Sequence, residues 1–120
     1  MIERAEQDGR AFVIFRLGAE RYGLPIERVQ SIIRFERPTP VPRAPEVVMG
    51  VLNLRGQVIP VIDLSRRFGA SVLAPSATTR IVVAEGESGR VGLAVDEANE
   101  VVTIPLDAIK PAPDSVLTAE

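Results

Sequence analysis

Apolar residues run along this chain in short bursts parted by turn residues. Residues 12–17, FVIFRL, predict a strand; Gly18-Ala19-Glu20-Arg21 supplies a turn, and Tyr22-Gly23-Leu24 returns as a second strand. Pro25 suits the first position of a helix, and Ile26, Val29 and Ile33 fall at helical spacing, which predicts a short helix from Pro25 to about Ser31. Residues 32–35 read equally well as a short strand. Pro38, Pro40, Pro42 and Pro45 then make a stiff extended connector, because each removes a ladder donor and fixes φ. Residues 45–50 read as one helical turn stopped by Gly50.

The densest burst is GVLNLRGQVIPVIDL, residues 50–64. It predicts a hairpin, with strands at 51–54 and 57–62 around a tight Arg55-Gly56 turn. Pro60 places the second strand at an edge or a bulge. Asp63 suits the N-cap of a short helix over 64–68, with Gly69 as its stop. Residues 70–79 are small and polar and read as a linker. A second β region follows, with strands at 80–84, 90–95 and 101–104, a turn at 85–89, and a short turn or strand at 106–109. Pro111-Ala112-Pro113 ends the regular pattern.

The chain echoes itself. RYGLPIERVQSII (21–33) aligns with RVGLAVDEANEVV (90–102): Arg, Gly and Leu match at the first, third and fourth places, Ile26 meets Val95, Glu27 meets Asp96, and Ile32-Ile33 meets Val101-Val102. The strand before each also matches, Phe12-Val13-Ile14 over Ile81-Val82-Val83. The fold class predicted is therefore mainly all-β: a single domain over 1–120 made of two similar small barrels with short helical turns. The first spans about 11–69, the linker 70–79, and a partial second barrel 80–113. The counterpart of Gly50 would fall at position 119, so the second barrel is expected to lack its C-terminal hairpin and to expose strand edges, which are sticky. The second barrel is then completed by another segment, by self-association with a second copy, or not at all.

Composition narrows the function. A chain of 120 residues, 46% apolar and only 4% aromatic, builds one compact unit on an aliphatic core. The net charge of −2 lacks the clustered basic face that nucleic-acid binding needs. No apolar stretch approaches the roughly 20 residues of a membrane helix, and the polar start MIERAEQDGR is not a signal peptide. No membrane insertion is expected, and the chain is read as cytoplasmic. Cysteine and histidine are both absent, which removes thiol chemistry, disulfides, the commonest general base and the commonest metal ligand. No catalytic residue, metal site or cofactor is expected. Asp96, Glu97 and Glu100 form an acidic cluster that reads as a solvated face. Arg55, at the tip of a rigid hairpin, suits a bidentate contact with a partner carboxylate. Val29 reads first as core, on one apolar stripe with Ile26 and Ile33, and Gly50 and Gly56 as backbone devices.

The order FVIFRLGAERYGLPIERVQSI, a proline-rich stretch ending in APEVVMG, GVLNLRGQVIPVIDL, then VGLAVDEANEVVTI and IKPAP, resembles the CheW-like chemotaxis coupling proteins over about residues 12–113. The resemblance implies two SH3-like five-stranded β-barrels packed over a shared core, with no known catalysis. It implies an adaptor that couples chemoreceptors (methyl-accepting chemotaxis proteins) to the histidine kinase CheA. One surface would take the receptor's cytoplasmic tip and another a regulatory domain of the kinase. An equivalent role in a motility or developmental pathway, or as part of a larger kinase or adaptor, fits the same residues. By alignment it places Val29, Gly50 and Arg55 at the receptor contact, and Lys110 and Asp114 at the kinase contact. Relatives often carry an aromatic residue after that acidic position, where this chain has Ser115. They also continue with a glycine-led strand pair and a closing helix.

Overall fold

The structure, a computed structural model, describes residues 9–69, 72–105 and 107. Eight strands follow one another: β1 (Gly9–Leu17), β2 (Glu20–Pro25), β3 (Val29–Arg34), β4 (Val48–Leu54), β5 (Gln57–Asp63), β6 (Arg80–Gly86), β7 (Gly89–Val95) and β8 (Glu97–Pro105). A 3-10 turn, Ile26–Arg28, precedes β3, and a short helix, α1 (Leu64–Arg67), follows β5. The strands form a three-stranded sheet, β2-β1-β8, and a five-stranded sheet, β3-β6-β7-β5-β4. The mainly β reading of the sequence therefore holds.

The sheets do not sort by chain half. β1–β2 and β6–β7 are the hairpins of the two echoing stretches, each followed by a third strand, β3 or β8. That third strand leaves its own hairpin: β3 pairs with β6 from Val29↔Ala84 to Arg34↔Arg80, and β8 pairs with β1 from Gly9↔Pro105 to Arg16↔Glu97. Residues 11–69 and 80–113 thus each contribute to both sheets, and it is the three-stranded sheet, opened by β1, that has fewer strands. The connections are short: the 3-10 turn Ile26–Arg28 in the first unit and Asp96 alone in the second.

Two apolar clusters lie on opposite faces of the five-stranded sheet. Phe15, Leu17, Leu24 and Ala98 of the smaller sheet meet Val82, Ala84, Leu93 and Val95, with Leu64 of α1 closing the first cluster. Ile81, Val83 and Ala94 point the other way, to Ile59, Val61, Leu52 and Leu73. Alternation along β6 and β7 therefore feeds two cores, and both strands read as nearly unbroken apolar runs. Ile33 of β3 and Met49 and Leu54 of β4 pack on the same second cluster, so the sheet curls until its two edge strands share one core.

Local departures from the expected pattern have visible causes. Only Ile26–Arg28 is helical where a helix to Ser31 was expected; Val29, Ile32 and Ile33 are β-branched and pair with β6, which outweighs their 3.6-residue spacing. Of the turn expected at 45–50, one bond remains, Val48 N–H to the Pro45 carbonyl at 2.9 Å, and β4 already starts at Val48 against Ile62. Pro60 sits just before the parallel β5–β7 pairing, which spans only Val61–Asp63, so the missing donor falls where β5 pairs with β4 alone. Residues 106 and 108–109, read as a turn or strand, lie outside the described residues. The stretch at 72–79 is anchored, with Leu73 and Thr79 buried.

Asp63 is the tie between these parts. Its carboxylate is buried; one oxygen accepts from Arg66 N–H at 3.2 Å as the α1 cap, and the other accepts from Leu73 N–H at 2.9 Å. Its own N–H donates to the Val47 carbonyl at 2.8 Å. Asp63→Ala removes the cap and leaves the Leu73 N–H without that acceptor, so urea unfolding should show a loss of about 2–4 kcal/mol. A loss below about 1 kcal/mol would show that this tie is dispensable.

Candidate functional site

The β4–β5 hairpin positions the first candidate residue. Leu54 faces Gln57, and Arg55 and Gly56 between them both have positive φ, 53° and 82°, the type I′ turn that matches strand twist. Asn53 Oδ1 accepts the Gly56 N–H at 2.9 Å and braces the turn. Arg55 thus holds a left-handed backbone that ordinary side chains avoid, and it makes no hydrogen bond or ion pair with the described residues.

The curl of the sheet brings that turn beside β3. Gln30, Ser31 and Ile33 of β3, Leu54, Arg55 and Gln57 of the hairpin, and Ile59, Val83 and Arg90 line a groove of about 320 Å³. Its floor is apolar and its rim polar. Gln30 donates to Glu85; Arg90 donates to Gln57 Oε1 at 2.6 Å and lies 3.6 Å from Glu85. Arg90 is therefore committed to its neighbours, while Arg55 has no such partner among the described residues.

The three residues that the resemblance assigned to one contact occupy three environments. Val29 starts β3 next to Gln30 but packs half-buried on the first cluster. Gly50 is buried in β4, where a Cβ would overlap the Thr39 carbonyl. That close approach lets the proline-rich connector bridge β4, with Thr39 and Val51 exchanging two backbone bonds of 2.9 Å. Arg55 alone lines the groove. Gln30, Ser31 and Arg90 were not singled out from sequence; extending the 32–35 strand back to Val29 would have placed the first two on this edge. Lys110 and Asp114 lie outside the described residues.

A second groove, of about 480 Å³, opens on the other face of β5. Val58, Pro60 and Ile62 line it with Val47, Val91 and the β6–β7 turn. Val58 is 61% exposed, the most open large apolar residue among those described. Gln57, Ile59 and Arg90 border both grooves. The acidic residues noted from sequence serve the smaller sheet. Asp96 Oδ2 accepts the Gly18 N–H, Glu97 pairs with Arg16 at 3.2 Å, and Glu100 pairs with Arg21. Among the described residues no group of three or more His, Cys, Asp or Glu is arranged to hold a metal ion, and no helix is long and apolar enough to cross a membrane.

A double-cored β framework with two grooves meeting at one strand has the shape of a scaffold. The model of the CheW-like domain family matches residues 11–119, and the chain belongs to that family. It is 39% identical over 106 residues to the chemotaxis protein CheW of Rhizobium meliloti, covering 88% of this chain and 68% of that protein. It is 34% identical over 113 residues to the CheW of Klebsiella aerogenes, covering 94% and 68%. The crystal structure of scaffolding protein TtCheW from Thermoanaerobacter tengcongensis superposes with a TM-score of 0.81 at 39% identity, covering 88% of this chain and 72% of that one. The family resemblance and the β-barrel type of fold read from the sequence are both confirmed.

The turn geometry carries its own check. Asparagine tolerates the left-handed region better than arginine and is the preferred first residue of this turn, so Arg55→Asn should raise stability by up to about 1 kcal/mol in urea unfolding. A destabilised variant would mean that the Arg55 side chain supports the fold.

Proposed function

We propose that this protein is a non-catalytic adaptor that couples chemoreceptors to the histidine kinase CheA in the cytoplasm, with the groove between β3 and the Arg55-Gly56 turn as its receptor-facing site. The observation that carries the assignment is Arg55: a cation held at a rigid corner, in a backbone conformation that costs about 1–3 kcal/mol, beside an apolar groove and without a partner among the described residues. A helix hairpin from a receptor tip presents apolar side chains to such a floor and a carboxylate to such a corner. In this reading Val29 sets the start of β3 from below, and Gly50 keeps β4 seated under the connector, so both act by positioning.

The second groove, on the opposite face of β5, supports the presence of a second partner surface. Lys110 and Asp114 are the residues the family alignment assigns to the kinase, and the reading keeps them there. Absence of histidine and cysteine from all 120 residues favours binding over catalysis.

The test measures both contacts on one set of variants. Arg55→Glu should weaken binding to a receptor cytoplasmic fragment by about 10- to 100-fold in calorimetry, with kinase binding unchanged. Lys110→Glu should show the reverse pattern. Undiminished receptor binding by a folded Arg55→Glu protein would sink the receptor assignment.

A further inference from the structure

The described strands leave four sheet edges, and three are guarded. β4 is covered by the proline-rich connector through the Thr39–Val51 bridge. β2 and β3 are each only six residues long, and β3 ends at Arg34. Short strands, proline and edge charges are the usual protections against pairing with another chain.

β8 has none of these along most of its length. It runs nine residues, Glu97–Pro105, pairs with β1 on one side, and carries no strand on the other among the described residues. Val101-Val102-Thr103-Ile104 are all β-branched, and Val101 is 57% exposed. Its two charges do not guard the open side. The Glu97 and Glu100 carboxylates are turned inward along the sheet to Arg16 and Arg21. Proline appears only at the last position.

We propose that β8 is a self-pairing edge, which a second copy of this chain occupies with its own β8, antiparallel about a two-fold axis at Val101. The register follows from the strand itself. Val101 is its midpoint, so this centre uses the whole length, a ladder of about 30 Å, and keeps the irregularity at Asn99 off the axis, opposite Thr103. It sets Glu100 opposite Val102 of the other copy and Glu97 opposite Pro105, with no carboxylate facing another. A centre at Glu100 opposes like charges. One at Asn99 or Thr103 keeps only five residues in register, and the former also falls on the irregularity where the β1–β8 register shifts between Ile14 and Phe15. Such an isologous contact closes on itself and joins the two three-stranded sheets into one of six strands. It is independent of the grooves on β5.

Sedimentation equilibrium of the 120-residue chain should show its mass rising with concentration from 13.0 kDa to twice that value. Val101→Lys and Val101→Glu should each remain monomeric with an unchanged β circular-dichroism spectrum, and their equimolar mixture should regain the dimer. Because the chain has no cysteine, Val101→Cys should cross-link under mild oxidation. Thr103→Cys should not, since its two copies would lie about 14 Å apart along the strands, beyond disulfide reach. A monomer up to about millimolar concentration, species larger than a dimer, equal cross-linking at both positions, or a mixture that stays monomeric each overturns the assignment.

Discussion

The pairings of β3 with β6 and of β8 with β1 hold this molecule together, because each takes a strand from one hairpin unit and gives it to the other. Neither sheet can form from one stretch of chain. The exchange also forces β6 and β7 to the centre, with apolar residues on both faces: Val82, Ala84, Leu93 and Val95 toward one cluster, Ile81, Val83 and Ala94 toward the other. Any change in one core is felt in the strand that walls the second, since close-packed interiors transmit displacement rather than absorb it. Lesser ties reinforce the joint. Tyr22 stacks on Phe15 at 5.8 Å and lies 4.9 Å from Phe68, clamping the end of α1 onto the first hairpin.

Much of this was legible in the chain. Strand positions followed from apolar bursts and turn residues, and the tight turn at Arg55-Gly56 and the Asp63 cap from local chemistry that tertiary context did not override. The internal echo was also sound as a repeat of strand units. What it could not reveal was which strands pair, because periodicity reports the faces of a strand and carries nothing about its neighbour. Hence contiguous halves were expected where the sheets interleave. Residues 26–33 show the complementary failure: their apolar spacing suits a helix, but a run of β-branched residues beside an open sheet edge pairs instead.

The candidate site was legible only at its corner. Arg55 stood out because its turn could be read locally, whereas Gln30, Ser31 and Arg90 join the groove through the curl of the sheet, a property of the whole fold. Val29 and Gly50 show how alignment and geometry can assign different work to one residue. A buried glycine against the Thr39 carbonyl and a valine packed on the first cluster affect a contact by holding its frame. Substitution there and substitution at Arg55 would look alike in a binding assay, yet differ in stability, because only the first two disturb packing.

The two grooves meet at β5, and this constrains how an adaptor of this shape can work. Val58 and Pro60 line one groove only, while Gln57, Ile59 and Arg90 border both. β5 is pinned by β4 on one side, by β7 through Val61–Asp63 on the other, and by the Asp63 bonds at its end. A strand held at so many points fixes the distance and angle between the two surfaces. Partners seated on them are therefore coupled by a shared rigid wall, and a change in one partner's shape passes to the other as a displacement of the whole body. On the proposed reading, signal passes because the scaffold resists deformation, which is the work that the double core and the exchanged strands do.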